Sequence, residues 1–365
     1  DKKMGTNYQI ISADSLGVLC VLESNKYEEG NRKQMVFTFF DQNLEKAWEQ
    51  IYLLKTSAKL LEHYFDGHFI YTLIEEKEYE YAIMKLSLAD GIISQIAITD
   101  IDEFSVTHFK ASNGTLLLGG IVNGKPAVIL KKYEEGNKPI ALPSVNQLKA
   151  NLLDIVIDKA NNRLVVIMEK EKAIDGQSLY VNWYDLDGNI RLNREIALSK
   201  DFNLLTYRPH LKSDGSLLLF GSFGLKNERL AQGVYSMVIK DGKLLENRFY
   251  DFGYLKNFFN YYPEKKRENR VKKIKRKLEE DNRVRLAYKL FTHELDVQEN
   301  RIIFSAEAYE AQSDFSRNQE WTRANGYGSP NYPTFRRPAF GIGTLSYIPS
   351  TFSNEAWWGN NPTPT

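Results

Sequence analysis

The chain has 365 residues, of which 42% are hydrophobic, 26% charged and 13% aromatic. One simple hydrophobic core does not grow to this size, so we expect either several domains or a repeat architecture whose core extends unit by unit. Cys20 is the only cysteine, which excludes an internal disulfide. It lies in the apolar run Val18–Leu22, where we expect a buried, inert thiol. No stretch approaches the ~18 consecutive apolar residues of a membrane-spanning helix.

The net charge of +1 conceals a local block of positive charge. Residues 264–289 contain twelve Lys and Arg against five Asp and Glu, a net of +7, so the rest of the chain carries −6. A block this local describes one surface of the protein. The acidity of the rest, and the lack of aromatic residues on the basic segment before Tyr288, argue against a nucleic-acid partner.

The sequence begins with Asp1 and not with Met. A cleaved export signal accounts for this start, and so does an artificial truncation, and the sequence does not separate the two. A single cysteine does not decide the redox compartment either. We expect an extracytoplasmic location, either periplasmic or at the cell surface.

Strand patterns fill most of the chain. Short apolar runs alternate with turn signals, as expected for strands joined by hairpins. In chain order, the repeated units are Tyr8–Leu53, Leu61–Ile98, Phe104–Pro143, Leu152–Leu198, Tyr207–Phe252 and a last one that begins at Leu290. Turns such as Asn123-Gly124 and Asp241-Gly242 supply the positive φ angles of tight hairpins. The continuous apolar runs predicted as second strands, buried on both faces, are Leu116–Leu118, Val165–Ile167, Leu217–Leu219 and Ile302–Phe304.

Equivalent positions in successive units give the repeat length. We place the ends of the first strands at His63, His108, Asp154, His210 and His293, at intervals of 45, 46, 56 and 83 residues. The first two intervals match the ~40–50 residues of a four-stranded propeller blade, and the last contains an insertion. The sequence predicts an all-β fold, a β-propeller of about six four-stranded blades with seven left open, and one inserted basic helix.

The repeated unit has the order strand, Asp/Asn-Gly, apolar strand, loop, strand, Asp-x-x-Gly, strand. This order resembles the blades of quinoprotein-like and Kelch-like propellers. The resemblance covers residues 8–309. The Gly-Gly doublet of Kelch repeats occurs once, at Gly119-Gly120, and the Trp-Asp dipeptide of WD repeats is missing. Ser213-Asp214-Gly215 departs from the Ser-x-Asp-x-Gly pattern of sialidase Asp-boxes. The resemblance implies the fold and transfers no catalytic residue; a lipocalin-like barrel or a pair of sandwiches is the alternative.

The segment 263–289 breaks the repeat between the fifth and sixth units. Val271, Ile274 and Leu278 recur at helical spacing among cations, which predicts a basic helix over Glu264–Asp281 with a narrow apolar stripe. One interpretation is a solvated helix clipped to the propeller. The other is a docking element for an acidic protein partner. The candidate docking residues are Lys272, Lys273, Lys275 and Arg276.

Aromatic residues are concentrated on both sides of this helix. Tyr250–Tyr262 holds seven in thirteen residues, and its later part either covers the helix or forms an exposed interaction patch. The extension 310–365 is rich in Pro, Gly and aromatic residues. Its segments Ala339–Ile348 and Asn354–Trp358 would supply the third and fourth strands of the last blade, unless the chain is truncated and lacks further blades. The candidate aromatic patch consists of Phe258, Phe259, Tyr261, Tyr262, Trp357 and Trp358.

Histidines occupy the matching positions on the first strands. The candidate axial-channel residues are His63, His108, Asp154, His210 and His293. Such a ring of imidazoles could bind a metal or an anion, or each imidazole could simply bond a backbone carbonyl. The carboxylates nearby, where a propeller glycosidase would place its acid and base, are Glu62, Asp154, Glu294 and Asp296. Because no metal-ligand spacing, phosphate loop or nucleophile motif occurs, we predict no catalytic residue, no metal and no cofactor.

Repeats without a catalytic motif, an inserted basic helix and an apolar tail favour a non-enzymatic propeller. We expect a protein-binding or scaffold subunit of an extracytoplasmic or envelope complex, which includes membrane-associated complexes. The oligomeric state is left open. The alternative function is that of a glycoside hydrolase or lyase acting on a glycan, with aromatic residues of the tail stacking on sugar rings.

Overall fold

The structure is a computed structural model that describes residues 8–310, apart from gaps at 29–30, 99–100, 102, 113, 134–137, 147–149, 159–160, 173–175, 227, 229, 256, 280–285, 287 and 299–300. The described chain is almost entirely antiparallel β-sheet, with 23 strands, one α-helix and two short 3₁₀ turns at Asp14–Leu16 and Phe252–Tyr254. The predicted strands Ala339–Ile348 and Asn354–Trp358 lie outside the described residues. Within them, no helix has the length and hydrophobicity needed to span a membrane.

Six sheets follow one another along the described part of the chain. Sheet one contains β1 (Tyr8–Ser12), β2 (Gly17–Glu28), β3 (Arg32–Asp41) and β4 (Lys46–Lys55). Sheet two contains β5 (Lys59–Phe65), β6 (Phe69–Lys77), β7 (Glu80–Ser87) and β8 (Ile93–Ile98). Sheet three contains β9 (Ser105–Ser112), β10 (Thr115–Val122), β11 (Lys125–Lys132) and β12 (Ile140–Ala141).

The second half of the chain continues this pattern, with one helix inserted. Sheet four contains β13 (Asn151–Asp158), β14 (Arg163–Lys172), β15 (Gly176–Asp185) and β16 (Ile190–Ala197). Sheet five contains β17 (Phe202–Leu204), β18 (Arg208–Leu211), β19 (Leu217–Leu225), β20 (Gly233–Lys240) and β21 (Lys243–Asp251). Helix α1 (Glu264–Glu279) then precedes sheet six, which among the described residues consists of β22 (Tyr288–Gln298) and β23 (Arg301–Glu310).

This strand order confirms the predicted class of fold. A series of antiparallel four-stranded meanders is the architecture of a β-propeller-type repeat protein, and six sheets are found where six units were predicted. Sheet five has one strand more than predicted, because both β17 and β18 pair with β19. The chain bends between them, where the N–H groups of Leu205 and Thr206 both approach the carbonyl of Ser222, at 2.8 and 3.4 Å.

Two predicted hairpin turns have the expected geometry. Asn123 and Gly124 have φ angles of 49° and 73°, and Asp241 and Gly242 have φ angles of 49° and 72°. Each pair joins strands in a two-residue loop, since Val122 pairs with Lys125 and Lys240 with Lys243. Positive φ at both loop residues matches the twist of the strands, so the local sequence sets the register here.

The second strands are buried as predicted in three cases of four. Leu116–Leu118, Val165–Ile167 and Leu217–Leu219 have exposed fractions of at most 1%. In Ile302–Phe304 of β23, only Phe304 is buried, and the two isoleucines are half-buried. Cys20, expected to be buried, is also only half-buried.

The described residues divide into two compact units. The first contains residues up to 157 together with 186–189, and the second contains 158–185 and 190–310. In the first unit, two buried clusters fill the space between sheets one and two and between sheets two and three. In the second unit, a cluster rich in aromatic residues surrounds α1. That residues 1–309 hold the propeller repeats, with the helical insertion at 263–289, and that the extension 310–365 completes the last blade stays a prediction.

Candidate functional site

Helix α1 is the main departure from the repeat, and it is strongly basic. Nine Lys and Arg stand against three Glu within Glu264–Glu279. The helix begins directly after Pro263, whose carbonyl accepts the first helical hydrogen bond, from the N–H of Arg267 at 2.9 Å. Glu264 in the first turn, and Arg276 and Lys277 in the last, complement the helix dipole.

The inner side of α1 is fixed in the core of the second unit. Ile274 is 3% exposed and belongs to one cluster with Phe252, Phe259, Tyr262 and Tyr288. Val271 packs half-buried against the same cluster. Two residues of the predicted stripe, Val271 and Ile274, therefore pack against aromatic residues that the stripe alone does not reveal. The side chain of Leu278 lies outside the described residues.

The aromatic rings beneath the helix pack in specific orientations. Phe252 and Phe258 stack with their centroids 4.2 Å apart, and Phe258 meets Tyr288 nearly edge-on at 5.2 Å. Tyr261 and Tyr262 lie 4.2 Å apart, centroid to centroid. Stacked and edge-to-face rings each add roughly 0.5–1.5 kcal/mol beyond the burial of their area. We call these five rings the aromatic base: Phe252, Phe258, Tyr261, Tyr262 and Tyr288.

Cations of α1 also bind the aromatic base directly. The guanidinium of Arg270 lies 5.3 Å from the ring centre of Tyr262 and donates to the hydroxyl of Tyr288 at 3.3 Å. The ammonium of Lys266 lies 4.3 Å from the ring centre of Tyr262. The hydroxyls of Tyr261 and Tyr288 are 2.9 Å apart, and burial, followed by this contact, raises the pKa of Tyr288. Tyr288 is therefore a protonated hydroxyl that links helix and strand.

A buried amide fixes the chain on both sides of the helix. Gln232 accepts a hydrogen bond from the N–H of Leu286 at 2.8 Å and donates to Asp251 at 2.5 Å. Asp251 in turn accepts from the N–H of Gly253 at 2.8 Å. Sequence reasoning missed Gln232, Lys266 and Arg270, because these contacts join positions that carry no common motif.

The predicted docking residues all lie on the exposed side of α1: Lys272, Lys273, Lys275 and Arg276. The predicted aromatic patch is divided. Phe259 and Tyr262 are 4% and 8% exposed, Phe258 is half-buried, and Tyr261 is 56% exposed. Phe259 and Tyr262 thus lie in the cluster that contacts the helix, whereas Tyr261 is exposed, and an interaction role for the patch stays a prediction. Trp357 and Trp358 lie outside the described residues.

In the first unit, the histidines on the first strands contact polar groups on other strands. His63 lies on β5 with its Nδ1 2.8 Å from the hydroxyl of Thr72. His108 lies on β9, and its Nε2 is 2.9 Å from the carbonyl of Leu153 on β13. Asp154, the next residue, accepts a hydrogen bond from the N–H of Ile155 at 2.8 Å. His108 thus makes the carbonyl contact of the simpler interpretation.

In the second unit, His210 lies on β18, and His293 lies on β22, where its side chain is outside the described residues. Burial and Lys212 lower the pKa of His210, and Asp296 opposes this shift. Convergence of the histidines on one channel stays a prediction, as does a catalytic role for Glu62, Glu294 and Asp296. Among the described residues, no group of three His, Cys, Asp or Glu is arranged to hold a metal ion.

Comparisons with known proteins give only distant structural similarities. No protein-family model and no curated protein matches the sequence. The β-propeller domain of the trilobed protease from Pyrococcus furiosus is 11% identical, with 84% of this chain covering 80% of that one at a TM-score of 0.43. The periplasmic gluconolactonase of Pseudomonas aeruginosa is 14% identical, with coverages of 65% and 70% and a TM-score of 0.38. The chain spans only 34% of a puromycin hydrolase, 10% identical over 61% of this chain at a TM-score of 0.35.

The class of protein therefore rests on its own sheets: the chain is a repeat protein of β-propeller type. Similarities as weak as these carry no inference about substrate, partner or reaction.

Proposed function

We propose that this protein is a non-enzymatic propeller that binds an acidic protein partner through α1, as a subunit of an extracytoplasmic or envelope complex. One observation carries the proposal. The exposed cations of α1 stand on a helix whose opposite side is fixed by buried and hydrogen-bonded side chains, among them Ile274 and Arg270. A surface that is already ordered loses little conformational entropy when a partner binds.

The charge pattern supports the acidity of the partner. Lys272 and Lys275, like Lys272 and Arg276, are one helical turn apart, and like charges at this spacing destabilise a helix by about 0.2–0.5 kcal/mol per pair. Partner carboxylates would remove this repulsion. They would also accelerate association through electrostatic steering, an effect that falls as salt increases.

Charge reversal tests the proposal. The variant carries Lys272→Glu, Lys273→Glu and Lys275→Glu, and the full chain serves as bait in pull-downs from separated envelope and cytoplasmic fractions of the native source. We expect the wild-type bait to retain an acidic protein from the envelope fraction and the reversed bait to lose it. Because the three lysines are exposed, the melting temperature should stay nearly unchanged.

A matched control variant carries the same change in charge at exposed positions outside the helix. Lys125, Lys138 and Lys243 are exposed positions outside α1, and their replacement by Glu should leave the captured partner in place. Added salt should weaken the wild-type complex, since exposed charges are screened beyond ~8–10 Å. Equal capture by the reversed bait in dilute salt, or a partner found only in the cytoplasmic fraction, would contradict the proposal. Unfolding of the reversed variant would instead show that α1 acts as a structural clamp.

A further inference from the structure

The second unit contains a cavity that the proposed docking surface does not use. Its volume is about 360 Å³, within the ~300–1,000 Å³ of small-molecule sites. It lies where β14 begins, β15 ends and β16 begins, beside the turn between β20 and β21. The side chains of its lining that carry the inference are those of Asn161, Arg163, Trp183, Asp185, Arg191 and Asp241.

The polar wall of this cavity is held in place by its own hydrogen bonds. Arg163 donates through Nε to Asp158 at 2.7 Å and through Nη2 to the carbonyl of Gly215 at 2.5 Å. Arg191 donates to Asp185 at 2.7 Å, and the amide of Asn161 donates to Asp158 at 2.9 Å. A site whose polar groups are already oriented loses little entropy on binding a ligand.

Trp183 presents a hydrogen-bond donor to the cavity. Its side chain lines the cavity and is only 4% exposed. Within the described part of the chain, its indole N–H makes no hydrogen bond. The indole N–H is a hydrogen-bond donor only, so it is available to an acceptor in the cavity. An oxygen atom of a molecule in the cavity would satisfy it.

The charges of the lining select a neutral ligand. Both arginines of the lining are already paired with carboxylates, Arg163 with Asp158 and Arg191 with Asp185. An anion would therefore find no unpaired arginine there, and a cation would lie against the two guanidinium groups. Either would lose hydration without a net attraction. A hydroxyl group both donates and accepts, which suits a wall of mixed donors and acceptors. We infer that this cavity binds a neutral mono- or disaccharide, with its hydroxyls bonded to the indole N–H of Trp183, the guanidinium of Arg191 and the carboxylate of Asp241.

The test uses the full chain and four probes: glucose, galactose, mannose and maltose. Titration calorimetry and tryptophan fluorescence should show saturable binding of at least one of them. Arg191→Ala and Trp183→Phe should each weaken that binding about 2- to 10-fold, the range expected for one lost hydrogen bond. Trp183→Phe should also remove most of the fluorescence change.

Arg248→Ala is the matched control, because Arg248 is likewise an exposed arginine paired with a carboxylate, that of Glu246, in the same unit but outside the cavity; it should bind like the wild type. If Trp183→Phe fails to fold, Asp241→Asn takes its place, since Asn tolerates the positive φ of this position. Absence of saturation up to roughly 100 mM sugar, equal affinity in the cavity variants and the wild type, or tighter binding of inorganic phosphate would each overturn the inference.

Discussion

The predicted second strands are buried differently in sheets three to five and in sheet six. In β10, Leu116–Leu118 are at most 1% exposed, as are Val165–Ile167 in β14 and Leu217–Leu219 in β19. In β23, Phe304 alone of Ile302–Phe304 is buried, and its ring packs on Phe220 at 4.9 Å within the cluster that holds α1. In the regular units the whole apolar run of the second strand is thus buried. In the unit after the insertion, burial of the second strand depends on the packing of Phe304 with the aromatic side chains around the helix.

Truncating a regular second strand should have the largest effect. Leu218→Ala removes a side chain that is 1% exposed, so we expect a loss of roughly 2–5 kcal/mol in the free energy of unfolding. Ile303→Ala on β23 should cost clearly less, because Ile303 is half-buried. Chemical denaturation of both variants measures the difference. Equal losses would show that β23 is as deeply buried as the regular strands.

Truncating the inner side of α1 should have an intermediate effect. Ile274 is 3% exposed, and Ile274→Ala should cost about 2–3 kcal/mol, at the low end for buried residues because a surface helix can relax around the cavity. Lys273→Ala, one residue earlier and exposed, should change stability by no more than ~0.5 kcal/mol. If Ile274→Ala unfolds as the wild type does, the aromatic base does not seat the helix.

The same comparison shows which parts of the structure the sequence could predict. Local signals were sufficient for the Asn123-Gly124 and Asp241-Gly242 turns, whose φ requirements restrict the residue type. Continuous apolar runs marked the buried second strands for the same reason: burial on both faces leaves no alternation. The predicted helix over Glu264–Asp281 contains the observed Glu264–Glu279, and its last two positions lie outside the described residues.

Contacts between distant residues left no such signal. Gln232 bonds the N–H of Leu286, 54 positions along the chain, and Arg270 bonds Tyr288 across the end of the helix. A lone glutamine or arginine carries no spacing from which a partner can be inferred. The cavity lined by Trp183 was missed likewise, because its residues come from three strands and a turn of the next sheet.

The smallest predicted effect concerns His210, which lies on β18 opposite Leu218 of the buried strand β19. Burial, and then Lys212, lower the pKa of His210 below its usual value of 6.5. The folded state therefore binds a proton less readily than the unfolded state. The contribution of His210 to stability is complete above pH 6.5 and is lost as the pH falls towards the depressed pKa of the folded state.

We therefore expect His210→Gln to reduce the pH dependence of unfolding. Between about pH 7.5 and about pH 5.5, the range in which an imidazole titrates, the melting temperature of the wild type should fall more than that of the variant. His68→Gln is the control for the substitution itself, because it makes the same replacement at an exposed turn position and should leave stability at neutral pH nearly unchanged. An equal change of melting temperature with pH in His210→Gln and the wild type would show that β18 accommodates a charged imidazole at no cost in stability. Position 210, beside the buried strand β19, would then be closer to solvent than the side chains around it indicate.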